Sequence, residues 1–229
     1  MKQHLSTLLV TTAIAATLSS CSSLSDLSGS MTGLAGGGGG VADAIEQAKA
    51  SPVVNLMYLP PSPAVGQSWT MDMSGMKSTS SIVAEMDGQL IVEQETMSYG
   101  APLIVAYQVD PRVDLARVAA VGEKATSNVT AAWIGEAGKA PVELTVMDAM
   151  VIEEMPDVVV PETETTTGSE TVTLGGRSWN ADWSETSGSK SWMVDGFLLR
   201  SDYNGDTMMQ ISDWKTDAQP ALDWTPSAE

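Results

Sequence analysis

Residues 171–214 read TVTLGGRSWNADWSETSGSKSWMVDGFLLRSDYNGDTMMQISDW, and this stretch decides the fold. Thr171 to Leu174 runs into Gly175-Gly176, after which Arg177 to Trp183 places Trp179, Ala181 and Trp183 on one face. Ser187-Gly188-Ser189 turns the chain into Ser191 to Val194, and Asp195-Gly196 turns it again. Phe197 to Tyr203 then reaches Asn204-Gly205, and Thr207 to Trp214 follows. Asn-Gly and Asp-Gly between alternating runs are strong hairpin signals, because both central residues of such a turn need positive φ. Five strands joined by four short turns make an antiparallel meander, with Phe197, Leu199, Ser201 and Tyr203 on one face.

Upstream, Glu153 to Glu170 changes character. It is acidic and rich in Thr and Pro, which predicts an exposed loop with at most a short edge strand around Val158 to Val160. Earlier still, alternation resumes. Trp69, Met71 and Met73 alternate with polar residues; Ile82, Ala84 and Met86 precede Asp87-Gly88; Leu90 and Val92 follow it. Leu103 to Val109, Val129 to Ile134 and Val142 to Met147 also read as strands. Arg112 to Val121 fits a helix behind Pro111 and equally a strand, and the helix is the expectation. Val41 to Ala50 predicts a short amphipathic helix with Val41, Ala44, Ile45 and Ala48 on one face, lying as a cap on the sheet. Pro60-Pro61-Ser62-Pro63 gives a stiff extended connector. The fold class is mainly β with minor α: a curved antiparallel sheet or half-barrel with one or two helices.

The N-terminus is not part of that domain. A polar start with Lys2 precedes an apolar, small-residue run from Leu5 to Leu18, the order of a secretory signal. The run is too short and too rich in Ser and Thr to span a bilayer comfortably. Leu18-Ser19-Ser20-Cys21 then resembles the cleavage motif of a bacterial lipoprotein signal. That resemblance implies that Cys21 is lipidated and becomes the first mature residue. Ser22, rather than Asp, after the cysteine implies sorting to the outer membrane, facing the periplasm. Residues 22–40 are Ser- and Gly-rich, ending in five consecutive glycines, Gly36 to Gly40. A tether of ~20 such residues reaches roughly 25 Å. The plan is residues 1–20 as signal, 21–40 as tether, 41–65 as helix and connector, and 66–216 as one β domain with the loop 153–170. Residues 217–229 are a frayed tail.

Composition removes many function classes. Cys21 is the single cysteine and His4, inside the signal, is the single histidine. The mature chain therefore cannot build a Ser-His-Asp triad, a Cys-His pair or a usual zinc site. The net charge of −18 grows one unit more negative when Lys2 leaves, so nucleic acid and anionic headgroups are repelled. No cofactor is implied, and the chain is not expected to be an enzyme. Asp182 with Glu185, or Glu153 with Glu154, could be offered as paired catalytic carboxylates, but acidic residues are so common here that such pairs arise by chance. Asn128-Val129-Thr130 is a glycosylation sequon without meaning in a bacterial lipoprotein. Asp202, Asn204 and Asp206 imitate the start of a calcium loop, yet the glycine comes too early and Asp213 stands where the bidentate Glu belongs. They remain weak metal candidates beside the simpler reading as a hairpin tip.

Seven Trp and 14 Met against one Phe suit an adaptable apolar groove, or the filled core of a large curved sheet. The groove candidates are Trp69, Met71, Trp179, Trp183, Trp192, Phe197 and Leu199. The order of Gly175-Gly176, a Trp-bearing strand, Lys190-Ser191-Trp192-Met193-Val194-Asp195-Gly196, Leu198-Leu199-Arg200 and a final hairpin resembles the C-terminal half of LolA/LolB-like proteins and related lipoprotein domains. The resemblance implies binding of an acyl chain or another apolar ligand in the concave face of a half-barrel, and it carries over no individual ligand residues. The expectation is a non-enzymatic, membrane-anchored envelope lipoprotein holding such a ligand. Its alternative is a structural or interaction lipoprotein with a filled core, and weak divalent-cation binding is a third reading.

Overall fold

The computed structural model describes residues 40–98, 101–117, 119–153 and 164–224. Cys21, its signal and most of the tether lie outside these residues, as does Val158 to Val160. Among the described residues, one helix, α1 (Val41–Lys49), precedes eleven strands. They are β1 (Ser68–Met73), β2 (Met76–Met86), β3 (Gln89–Ser98), β4 (Ala101–Val109), β5 (Val129–Glu136) and β6 (Val142–Leu144), then β7 (Thr165–Leu174), β8 (Arg177–Thr186), β9 (Ser189–Val194), β10 (Phe197–Tyr203) and β11 (Asp206–Lys215). All eleven form a single antiparallel sheet in the order β6-β5-β4-β3-β2-β1-β11-β10-β9-β8-β7. The mainly-β reading and the C-terminal five-strand meander are both present.

Local chemistry explains the turns. Six two-residue hairpin turns, at Ser74-Gly75, Asp87-Gly88, Gly175-Gly176, Ser187-Gly188, Asp195-Gly196 and Asn204-Gly205, hold both central residues at positive φ. That geometry matches the right-handed twist of the flanking strands. The two halves then join through β1 and β11, where Trp69 faces Trp214 and Met71 faces Ile211, with a bulge between Thr70 and Met71.

The sheet contains one meander twice. Residues 66–74 (GQSWTMDMS) and 176–184 (GRSWNADWS) share five of nine residues. The first copy opens β1 and the second opens β8, and an Asp-Gly turn follows two strands later in each. Because the sheet order runs β4-β3-β2-β1-β11-β10-β9-β8, the two four-strand units sit in tandem.

The sheet curls. Gly175, in the β7–β8 turn, approaches β11 so closely that a Cβ there would lie 2.8 Å from Ile211 Cγ2. The inner face carries the main core, which includes Ile82, Val92, Val109, Ala132, Leu199 and Ile211. Tyr107 also belongs to it, and burial pushes its phenol up to about 12. As expected, α1 lies on this core through Val41, Ala44, Ile45 and Ala48. Residues 53–59 cover it further. Val53 bridges Val146 in parallel, and Asn128 clamps Met57 with two hydrogen bonds of 2.8 Å, accepting from its N–H and donating to its C=O. Asn128, the sequon residue, is thus buried.

The outer face has a smaller core of Val83, Ile91, Ile104 and Ala106, covered by Ala221, Leu222 and Trp224. Glu93, only 3% exposed, accepts hydrogen bonds from Ala221 N–H (2.7 Å), Leu222 N–H (3.2 Å) and Trp224 Nε1 (2.9 Å). The expected frayed tail 217–229 is therefore corrected for residues up to 224, which are docked by apolar burial and this carboxylate.

Other expectations change for local reasons. Arg112 to Val121 is neither helix nor strand over its described residues. Asp110 and Asp114 capture the nearby N–H groups of Arg112 and Ala116 at 2.9 and 3.0 Å, which competes with helix formation. The loop expected to run to Glu170 ends early, because β7 starts at Thr165. Its β-branched Thr run pairs with β8, and the hydroxyls of Thr165 and Thr186 bond at 2.7 Å. The strand expected over Val142 to Met147 stops at Leu144. Two bulges break the simple alternation. Val83, opposite no residue of β3, lets Ile82 enter the main core while Ala84 joins the outer one. In β10, Phe197 and Leu199 face inward as expected, but the break at Leu199 leaves Asp202 buried and Tyr203 54% exposed.

Candidate functional site: the concave aromatic face

The structure brings the groove candidates to one face and divides them into two groups. Trp69 (β1), Trp179 (β8) and Phe197 (β10) meet Trp214 of β11 in a closed quartet. Trp69 stacks on Trp214 at 6.2 Å, and Trp179 meets Trp214 edge-on at 5.1 Å. Phe197 lies 5.6 Å from Trp69 and 6.3 Å from Trp179. Strands three places apart in the sheet touch in this way only because the sheet curls. Trp179 also donates from Nε1 to Leu174 C=O at 3.2 Å, which locks its indole. Leu199 is fully buried, and Met71 packs against the same core.

Arg177 closes the quartet from above. Its Cζ lies 4.2 Å from the Trp179 ring and 4.7 Å from the Trp214 ring. Spacing of two along a strand puts Arg177 and Trp179 on one face, so this contact was available from the sequence. The partnership with Trp214 was not, because it depends on closure across β9 and β10.

Trp183 and Trp192 form the second group as a directly opposed pair on β8 and β9. Trp183 spreads over Gly168 of β7, where a Cβ would lie 2.7 Å from its Cζ2. Lys190 Nζ sits 4.2 Å from the Trp183 ring and 4.7 Å from the Trp192 ring, and Glu170 Oε1 is 3.8 Å from the same ammonium. Glu170 also accepts from Trp192 Nε1. Arg200 Cζ lies 4.9 Å from the Trp192 ring, and Arg200 donates twice to Asp202, both bonds 2.7 Å. Cations over indole faces with paired carboxylates at their flanks give a self-neutralised cluster.

Of the weak metal candidates, one is held in an ion pair and one shapes a turn. Asp202 is engaged by Arg200, which holds its carboxyl below the usual carboxylate range. Asn204 occupies the β10–β11 turn at φ 50°, and its N–H donates to Gly188 C=O at 2.8 Å, joining two hairpin tips. Among the described residues, no group of three or more His, Cys, Asp or Glu could hold a metal ion.

A shallow open depression of about 510 Å³ lies elsewhere, beside the end of α1 and over β5 and β6. Lys49, Thr130, Glu143 and Val146 are among its walls, and none of the groove candidates is. No protein-family model, no curated protein and no solved structure matches this chain.

Proposed function

We propose that this chain is a lipid-tethered protein of the bacterial envelope whose β body is a non-catalytic interaction module with a self-filled core. One observation carries the choice between this and an acyl-chain carrier. The aromatic side chains that would line a carrier's groove are in contact with one another, at centroid separations of 5.1 to 6.3 Å. α1 and residues 53–59 cover the same face. An acyl chain would have to part packed indoles, and each separation would give up contact energy that the ligand then has to replace. The envelope part of the reading rests on the sequence Leu18-Ser19-Ser20-Cys21 and on the Ser/Gly tether behind it.

The test is native mass spectrometry of the processed chain after detergent release from membranes. The expected mass is the polypeptide plus covalent acyl groups. A stoichiometric, non-covalent lipid surviving release would reject the filled-core reading and favour the carrier.

A further inference from the structure

We propose that the β1–β2 hairpin binds a soft monovalent cation, Cu(I) or Ag(I), through the thioethers of Met71, Met73 and Met76. These side chains share one face of the sheet. Met71 and Met73 are two apart on β1, and Met73 is the direct cross-strand partner of Met76 with no break in register along the pair. Residues directly opposite have Cβ atoms about 5 Å apart, and those two apart on a strand about 7 Å. Flexible methionine chains can therefore bring three sulfurs to one point from these positions.

Burial accounts for Met71, which packs on the main core, and in part for the half-buried Met73, but not for the third methionine. Met76 is 66% exposed at a hairpin tip, where an apolar residue gains little from folding. Ser74 Oγ donates to the Met208 carbonyl at 3.3 Å, which ties the turn to β11. The turn itself is fixed: Asp72 accepts from Gly75 N–H at 2.9 Å, and Ser74 and Gly75 hold φ of 53° and 94°. A rigid hairpin thus presents its methionines at a defined spacing.

The chemistry selects the ion. Thioethers are neutral, soft donors that favour Cu(I), and bind Zn(II), Ca(II) or Mg(II) poorly. They need no deprotonation, so binding should be nearly independent of pH, unlike thiolate or imidazole sites. The chain's net charge of −18 draws cations to its surface without itself supplying a hard-ion cage.

The experiment uses the processed full chain with ¹³C-methyl methionine, titrated with silver nitrate and followed by NMR. The ε-methyl signals of Met71, Met73 and Met76 should shift together and saturate at one equivalent, while those of Met57 and Met193 stay in place. Zinc should leave all of them unmoved. The double variant Met73→Leu, Met76→Leu keeps apolar volume at one half-buried and one exposed position, so its remaining methyl signals should hold their dispersion while the Met71 shift is lost. Uniform, unsaturating shifts over all methionines would overturn the proposal. So would an unchanged Met71 response in that variant, or the same three methyls moving equally with zinc.

Discussion

Trp224 donates its indole N–H to Glu93 at 2.9 Å across 131 residues of chain. The same carboxylate holds Ala221 and Leu222, so one buried acid organises the docked C-terminal segment. Replacing it by Ala orphans those three donors next to an apolar layer. Leaving a buried group unsatisfied costs ~1–3 kcal/mol. Glu93→Ala should therefore lower stability by roughly 3 kcal/mol in urea unfolding. Glu93→Gln, which keeps an acceptor oxygen, should lose less. Equal losses in both variants would show that packing rather than hydrogen bonding fixes the segment.

The quartet is the largest set of mutually contacting rings among the described residues. Trp179→Ala removes contacts to Phe197 and Trp214 and also the platform under Arg177. Truncating a buried Trp costs ~3–5 kcal/mol. The expected loss in urea unfolding lies in that range, with a collapse of the near-ultraviolet circular dichroism from coupled indoles. A loss under ~1 kcal/mol would indicate a loosely filled face and reopen the carrier reading.

Two glycines are required for different reasons. At Gly175 a side chain meets Ile211 Cγ2 at 2.8 Å and the Asp213 backbone at 3.0 Å, with φ at +59°. At Gly168 the obstacle is the Trp183 ring at 2.7 Å. Gly175→Ala should destabilise by ~1–3 kcal/mol, since backbone must move. Gly168→Ala should mainly displace Trp183, read as a change in its fluorescence, with a smaller stability loss.

Acid should weaken the second aromatic group first. Arg200 holds the Asp202 carboxyl below its unfolded value, so folding is favoured by this pair above the unfolded pKa, about 3.9. That contribution fades as pH falls through the lower folded value. Asp202→Asn should flatten the fall in stability between about pH 4 and pH 2. Asp110, whose pKa is lowered to about 2 by its hydrogen bonds from Arg112, is half-buried, but its guanidinium partner is 69% exposed and screened by water, so Asp110→Asn should change the acid profile less.

Membrane attachment has a simple check. Cys21→Ala should abolish incorporation of a labelled fatty acid and move the protein from the detergent phase to the aqueous phase. Retained labelling would place acylation elsewhere and remove the basis for the envelope reading.

The sequence exposed what is local. Asp87-Gly88, Asp195-Gly196 and Asn204-Gly205 mark their hairpins because few residues tolerate positive φ, and period-two alternation marks the strands between them. Pairing between β1 and β11 was hidden, since no local signal couples Trp69 to Trp214, which is 145 positions later by number. The bulges at Val83 and Leu199 were hidden for the opposite reason. Each occurs inside a run of apolar residues, where either face could accept the side chain. Arg112 to Val121 misled because helix propensity there is weaker than the pull of Asp110 and Asp114 on their neighbouring amides. Of the site, the candidates Trp69, Trp179, Trp183, Trp192 and Phe197 were legible from alternation. Their mutual contact was not, because it depends on the curl.

The repeated meander has a consequence for self-association. β1 accepts β11 as its neighbour, so the free side of β8 in one molecule is by homology a partner for the free side of β4 in another. Each such addition would leave a new matching edge, and the product would be an open-ended ribbon. β7 on one flank and β5 with β6 on the other occupy those edges before a second molecule can. The extra strands are chain terminators for a sheet whose internal symmetry would otherwise invite polymerisation.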